Sequence, residues 1–515
     1  MKKRISLVAI FAIALVMRPA LGQNKDALNL SLEECIAKAL KNNLNVAIEV
    51  YSPELASISL TKAKEFFMPR FEMSYASERQ ENPPYWWLQG AGTIWSRDNN
   101  YGLSLVQQIP TGGNISLSLQ SYKSETNQAF QLINPRYGST LRLNFSQPLL
   151  RNFGFKISRR QILQAENNLD ISQSQLQSTM MDTVYLVEEA YWNLVYALEN
   201  YSVKQQSLQL GRDTLAKNKK EVEFGQLAPI EILNAESVVA QREADMIQAE
   251  FLITRSQEVL KSILNLAAEG ADSFKKIVPQ DKPEFTETKI ALEDALKQAM
   301  ERRPDLKILK KTLEAKELNL SVAKNQTLPG LDLQFSYWSP GISGDRLIYP
   351  EGNFFAPPIG TEKGDAGGSL RDAFKLLYKN WNIGLTLSIP LSSFLTRADY
   401  SYARTDLNQS QVKLKNLEQQ AILEVGDAVR TIETNAKRVE AYRVARELAE
   451  KSLDAEEKKL KVGLSTNYFV LEFQEKLANA RSIEIKAKID YILSVARLER
   501  SMGTGLEKRN IKITE

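Results

Sequence analysis

The stretch VGLSTNYFVLEFQEKLANAR, Val462 to Arg481, interrupts a helical run that has continued since about Arg397, stops at Gly463 and restarts almost at once. Residues Phe224 to Glu243, FGQLAPIEILNAESVVAQRE, repeat the event at Gly225 and Pro229. A glycine suits the left-handed residue that ends a helix, and a proline suits the first turn of the next. Made twice in one chain, the break marks the far tips of two long helical hairpins. It also raises the question of what else is duplicated.

The segment LSLEECIAKALKNN from Leu30 aligns without a gap on IALEDALKQAMERR from Ile290, and the alignment continues to Pro69 over Pro329. Beyond the prolines, Phe71, Met73 and Tyr75 alternate with polar residues, as Leu331, Leu333 and Phe335 do. The hydrophobic period therefore switches from helical to strand at the same place in each half. LRLNFSQPLL (Leu141 to Leu150) and NIGLTLSIPL (Asn382 to Leu391) repeat the alternation, and Pro148 matches Pro390. Each half reads as short helices, strand, loop, strand, long helix, break and helix. The expected division is a first repeat over 23–280, with strands near 69–79, 100–123 and 139–149, and a second over 281–515, with strands near 330–338 and 381–391. The first repeat adds YGLSLVQQIPTGGNISLSLQSY, Tyr101 to Tyr122, a hairpin turning at Thr111-Gly112-Gly113. The second carries a Gly/Pro-rich loop, Ser339 to Asn380, with a short helix expected at SLRDAFKLLYKN.

Composition narrows the function. The N-terminus has Lys2, Lys3 and Arg4, an apolar run from Ile5 to Met17 and small residues at Ala20 and Gly22, the pattern of a secretory signal peptide over 1–22. No other segment is long and apolar enough to span a bilayer as a helix. The one cysteine, Cys35, sits in LEECIAKAL and reads as a helix-face residue. Histidine is absent, which removes imidazole acid–base catalysis and histidine-containing zinc sites. With 66 basic and 62 acidic side chains interspersed, the net charge of +4 gives no nucleic-acid footprint. No phosphate loop, nucleophile elbow or metalloprotease motif occurs, and Glu33–Glu34 and Glu188–Glu189 read as solvated helix faces. Neither a catalytic centre nor a cofactor is expected.

The strands have the length and one-sided apolarity of membrane barrel strands, about 9–11 residues crossing at a tilt. Trp338 and Trp381, with Tyr75 and Tyr101, are placed as interface aromatics beside outer-membrane lipid. Four to six strands are too few for closure, and unpaired backbone cannot face lipid, so several chains must share one barrel. From about Lys156 to Glu223 the chain holds no proline, and Val187, Leu194, Tyr201, Leu208, Leu215 and Val222 recur every seven residues. In the second half, Leu417, Ala421, Val425, Ala428, Ile432, Val439 and Tyr442 keep a mixed three-and-four spacing. Lys217, Lys219 and Lys220, and Lys458, Lys459 and Lys461, stand at helix C-termini, where the dipole favours cations. Ser465, Thr466 or Asn467 is placed to cap the restarting helix.

Signal, duplicated plan, FGQLAPIEILNAE and VGLSTNYFVLEFQE together resemble the TolC-type outer-membrane efflux and secretion family over nearly all of the mature chain. The resemblance implies an α + β membrane protein: a trimeric shared outer-membrane β-barrel continued by a periplasmic α-helical coiled-coil tunnel. It implies a homotrimer acting as a passive exit duct with a periplasmic adaptor (membrane fusion) protein and an inner-membrane RND-type or ABC-type transporter. The adaptor-docking tips would be Gly225, Gln226, Leu227, Ala228, Pro229, Gly463, Leu464, Ser465, Thr466 and Asn467. The periplasmic gate would involve Glu231, Phe469 and Glu472, with Phe469 departing from the family's acidic pattern. The alternative is a periplasmic coiled-coil scaffold or adaptor, or else a diffusion porin, although a porin needs no hairpins of about 100 Å.

Overall fold

Where apolar residues keep helical spacing the chain is helical, and where they alternate it is extended. In the computed structural model, residues 27–266, 275–351, 356–389 and 393–511 are described; the expected signal peptide, 1–22, lies outside them. The elements of the first half are β1 (Ala27–Leu30), α1 (Leu32–Asn42), α2 (Leu44–Glu65), β2 (Arg70–Asn82), β3 (Ile94–Gln108), β4 (Asn114–Thr126), β5 (Ile133–Pro148), α3 (Phe155–Ser158), α4 (Arg160–Glu223) and α5 (Ile230–Ile263). Those of the second are β6 (Lys276–Pro279), α6 (Leu292–Arg302), α7 (Pro304–Gln326), β7 (Gly330–Ile348), β8 (Gly360–Glu362), α8 (Ala366–Phe374), β9 (Asn380–Ser388), α9 (Ser393–Lys461), α10 (Asn467–Met502) and α11 (Gly505–Lys508). The chain divides into a helical unit, running to Leu55, over Asp170–Lys311 and from Val412 onward, and a sheet unit over Ala56–Leu169 and Thr312–Gln411.

In the helical unit α1 begins on a capping box, Ser31 Oγ accepting from Glu34 N while Glu34 Oε2 accepts from Ser31 N. The strands β1 and β6 pair in parallel, Ala27 opposite Lys276. The seven-residue row of α4 contributes to one core: its Val187 and Leu194, with Val184 and Tyr191 three residues before each of them, are buried with Leu260, Leu264 and Ile489. The weaker row of α9 supplies a second, in which Val425, Ala428, Ile432 and Val439 pack with Ala295, Ala299 and Leu498. Each large aliphatic side chain buried this way contributes on the order of 1.5–3 kcal/mol. Tyr191 keeps its hydroxyl satisfied inside that core by donating to Asp281 Oδ2 at 2.7 Å. Cys35 is a free, buried thiol, and burial pushes its pKa up to about 12.

One expectation of solvation fails here. Glu188 is buried and contacts the Arg509 guanidinium, which also binds Glu499 Oε2 at 3.0 Å. Burial, opposed by Arg509, raises the Glu188 carboxyl to about 7. Residues 188 and 509 are far apart in sequence, so nothing local distinguishes Glu188 from the exposed acids around it.

The sheet unit is antiparallel throughout, in the order β2-β3-β4-β5-β7, with both β8 and β9 on the far edge of β7. The strand expected over 330–338 continues to Ile348, so the start of the expected Ser339–Asn380 loop is extended chain. Its outer half pairs with β5 through Ser139–Gly341 and Arg136–Gly344, partners the local sequence cannot reveal. The β3–β4 hairpin likewise exceeds 101–122 at both ends, and its turn closes with Ile109 N donating to Gly113 O at 2.8 Å. The remainder of the long second-half loop contains α8, which lies on β5 and β7: Ser139 and Ser369 hydroxyls are 2.9 Å apart. A Cβ at Gly341 would meet Ser369 O at 2.1 Å, so glycine is what allows this approach.

Candidate functional site

Two regions carry the functional expectation, one in each unit. In the sheet, the register aligns one face across six strands. Phe71 pairs with Leu105, Leu105 with Leu117, Leu117 with Leu143, and Leu143 with Tyr337, which pairs with Trp381. A neighbouring row runs Met73, Leu103, Leu119, Leu141. On β9, Ile383, Leu385 and Leu387 continue the face and are exposed. The opposite face carries Ser116, Asn144, Ser336 and Asn382 in register. There Ser336 Oγ donates to Asn144 Oδ1 at 2.8 Å, and Asn144 Nδ2 donates to Ser116 Oγ at 3.3 Å.

Tyr75 and Tyr101 are cross-strand partners on the apolar face, their rings 5.2 Å apart. Trp381 is on that face too, beside Tyr337. Trp338 is not. As the next residue after Tyr337 it points to the polar side, where the Arg142 guanidinium lies 5.1 Å from its ring. Strand parity thus sets Trp338 on the polar face and Tyr337 on the apolar one.

In the helical unit the two tips share one geometry. After α4, Gly225 adopts φ +68°, with Gly225 N donating to Val222 O at 2.9 Å and Gln226 N to Glu221 O at 2.8 Å. After α9, Gly463 adopts φ +73°, with Gly463 N donating to Leu460 O at 3.1 Å and Leu464 N to Lys459 O at 2.9 Å. Both are Schellman caps, which need a left-handed residue and therefore favour glycine. A Cβ at either glycine would meet no atom of the described residues within 4 Å. Gln226, Ala228, Pro229, Leu464 and Thr466 are exposed there, Leu227 is half-buried, and Phe224 and Val462 add exposed apolar surface.

The restart differs from expectation in detail. Thr466 holds the N-cap position of α10 without a side-chain cap bond, and Ser465 Oγ donates to Glu456 Oε1 at 2.5 Å. Asn467 is buried and turns sideways: its Nδ2 donates to Asn218 Oδ1 at 2.6 Å and to Glu221 Oε2 at 3.3 Å. Asn218 Nδ2 in turn donates to Glu231 O at 3.2 Å, so the second tip is tied to both helices of the first hairpin. The tip lysines pair within their own hairpins, Lys219 with Glu236 at 2.9 Å and Lys459 with Glu456 at 3.0 Å.

Of the residues expected at the gate, Glu231 has a buried Oε2 with no hydrogen-bond partner among the described residues. Phe469 is exposed and meets Tyr468 edge-on at 5.7 Å. Glu472 pairs with Lys476 at 2.7 Å. Sequence reasoning missed Arg242, which is buried in α5 and donates to Ser207 O at 2.7 Å, Leu471 O at 2.9 Å and Gln474 Oε1 at 3.3 Å. Burial lowers its pKa. A signal was present: Arg242 continues the three-four spacing of the buried Ala235 and Val239.

Residues 295–504 match the family model described as outer membrane efflux protein. The outer membrane protein TolC of Vibrio cholerae is 24% identical over 371 residues, 70% of this chain and 76% of that protein. The chain is similar to the TolC-type outer membrane efflux proteins. Among solved structures, the CmeC outer membrane channel of Campylobacter jejuni superposes with a TM-score of 0.64 at 16% identity, covering 92% of this chain and 86% of that one. The open state of the MtrE outer membrane channel of Neisseria gonorrhoeae gives 0.61 at 17% identity, covering 94% and 91%. The fold of this chain is thus that of the outer membrane channels.

Proposed function

We propose that this protein is the outer-membrane exit duct of a tripartite efflux or type I secretion system, conducting substrates passively. A homotrimer shares one barrel in the outer membrane, and the helical hairpins stand in the periplasm. The observation that carries the reading is the sheet: one face is apolar across six strands, yet β2 and β9 end it without a further partner among the described residues. Backbone left unpaired in lipid costs several kcal/mol per group, so such a sheet is stable there only when other copies close it. The exposed tips then receive a periplasmic adaptor, which joins the duct to an inner-membrane RND-type or ABC-type transporter. Adaptor binding favours splayed hairpins over closed ones by differential affinity for the two arrangements. Every role assigned is conduction, docking or gating, none of which requires catalysis.

The test is the mass of the complex extracted in mild detergent from a density-separated outer-membrane fraction. Three copies per particle is the expected result. A water-soluble monomer would refute the shared barrel and favour a periplasmic scaffold.

A further inference from the structure

The two repeats do not contribute equally to the sheet. The second supplies two long strands, β7 and β9, whereas the first supplies four, because β3 and β4 stand between β2 and β5. The inserted pair is fully built in. It holds 13 register pairs with β2, 13 within the hairpin and 11 with β5. Its turn is anchored as well: Gly154 N donates to Thr111 O at 3.0 Å, Thr111 Oγ1 donates to Gln147 Oε1 at 2.7 Å, and Ser158 Oγ donates to Pro110 O. Both faces continue through it, apolar on one side and small hydroxyl residues such as Ser104, Ser116 and Ser118 on the other.

We propose that this hairpin widens the assembled duct to an eighteen-stranded barrel, which passes hydrated solutes too large for the twelve strands that two per repeat would give. The proposal rests on the three-chain reading above. With strands about 4.8 Å apart and tilted by about 40°, eighteen strands enclose a backbone diameter of roughly 36 Å and twelve roughly 24 Å. Side chains take about 5 Å from each wall, half the usual sheet separation, leaving roughly 26 Å against 14 Å. The polar face that lines this space carries the row Ser116, Asn144, Ser336 and Asn382 beside charged residues such as Arg142 and Asp332.

Removal of two strands preserves antiparallel order and the side each residue faces, so a variant lacking residues 94–126 can pair β2 directly with β5, Phe71 falling opposite Leu143. In planar bilayers, neutral polyethylene glycols added on the external side report the barrel's width through the largest polymer that lowers conductance. The cut-off diameter should fall by nearly half in the deletion variant, and an unchanged cut-off would overturn the proposal. Electron microscopy of the intact detergent-extracted particle decides independently if the variant fails to assemble. A three-copy ring with a barrel near 36 Å supports eighteen strands. A three-copy ring near 24 Å overturns them and leaves the duct intact, whereas particles without a ring refute the duct reading itself.

Discussion

Replacing Asn467 with leucine tests whether the tips are held shut by a polar tie. The side chain is buried, and leucine has a similar size, so packing is largely kept while the amide is lost. Two hydrogen bonds disappear, at 2.6 Å to Asn218 and 3.3 Å to Glu221. A neutral buried bond contributes about 1 kcal/mol net, and the long contact to the partly exposed carboxylate contributes less. Asn218, which has no exposed surface, is left with an unmatched acceptor, a cost of about 1 kcal/mol or more. A total of about 2 kcal/mol corresponds to roughly a 30-fold change in the ratio of tied to released tips. Single-channel recording in planar bilayers should show that change as a higher open probability for Asn467→Leu. Asn218→Leu should do the same, and the double variant should fall well short of the sum of the two, because both remove the Asn467–Asn218 contact. An open probability equal to that of the parent, or two effects that simply add, would refute the tie.

Gly463→Trp should abolish export while the particle still assembles, because a Cβ there meets no described atom within 4 Å and the strain of a left-handed tryptophan, about 1–2 kcal/mol, is confined to the tip of the proposed docking surface; normal export would remove the tip from that surface. Leu385→Arg should cut outer-membrane assembly sharply, since a cation facing lipid costs about 2–4 kcal/mol per chain, whereas Thr386→Arg on the opposite face should be tolerated; membrane fractionation of the two compares them directly. Glu188→Gln should flatten the pH dependence of thermal unfolding. The folded carboxyl titrates near 7 and the unfolded one near 4.5, so the folded state binds more protons between them and stability falls as pH rises through that window. Melting curves at pH 5 and 7.5 that keep the parental difference in the variant would show that Glu188 is not its source.

Much of the architecture is local and was legible. A glycine placed each tip, with Pro229 beside the first, because a left-handed cap and a helix start are decided by one or two residues. The seven-residue row of Val187, Leu194 and Leu208 marked the buried stripe of α4, and alternation at Phe71–Tyr75 and Ile383–Leu387 marked the apolar face of the sheet. Interrupted alternation hid the outer half of β7, where Pro340, Gly341 and Gly344 read as loop until β5 is laid beside them.

What the sequence by itself determined is therefore period: which segments are helix, which are strand, where the long helices turn back, and that the plan is made twice. Only the tertiary structure decided partnership. It seated the β3–β4 hairpin between β2 and β5, turned Trp338 to the polar face under Arg142, buried Glu188 against Arg509 and tied Asn467 to Asn218. The physical reason is the range of the contacts. A helix cap or a strand's alternation is satisfied within a few residues, whereas Asn467 and Asn218 are 249 positions apart and acquire their meaning only when two hairpins pack together.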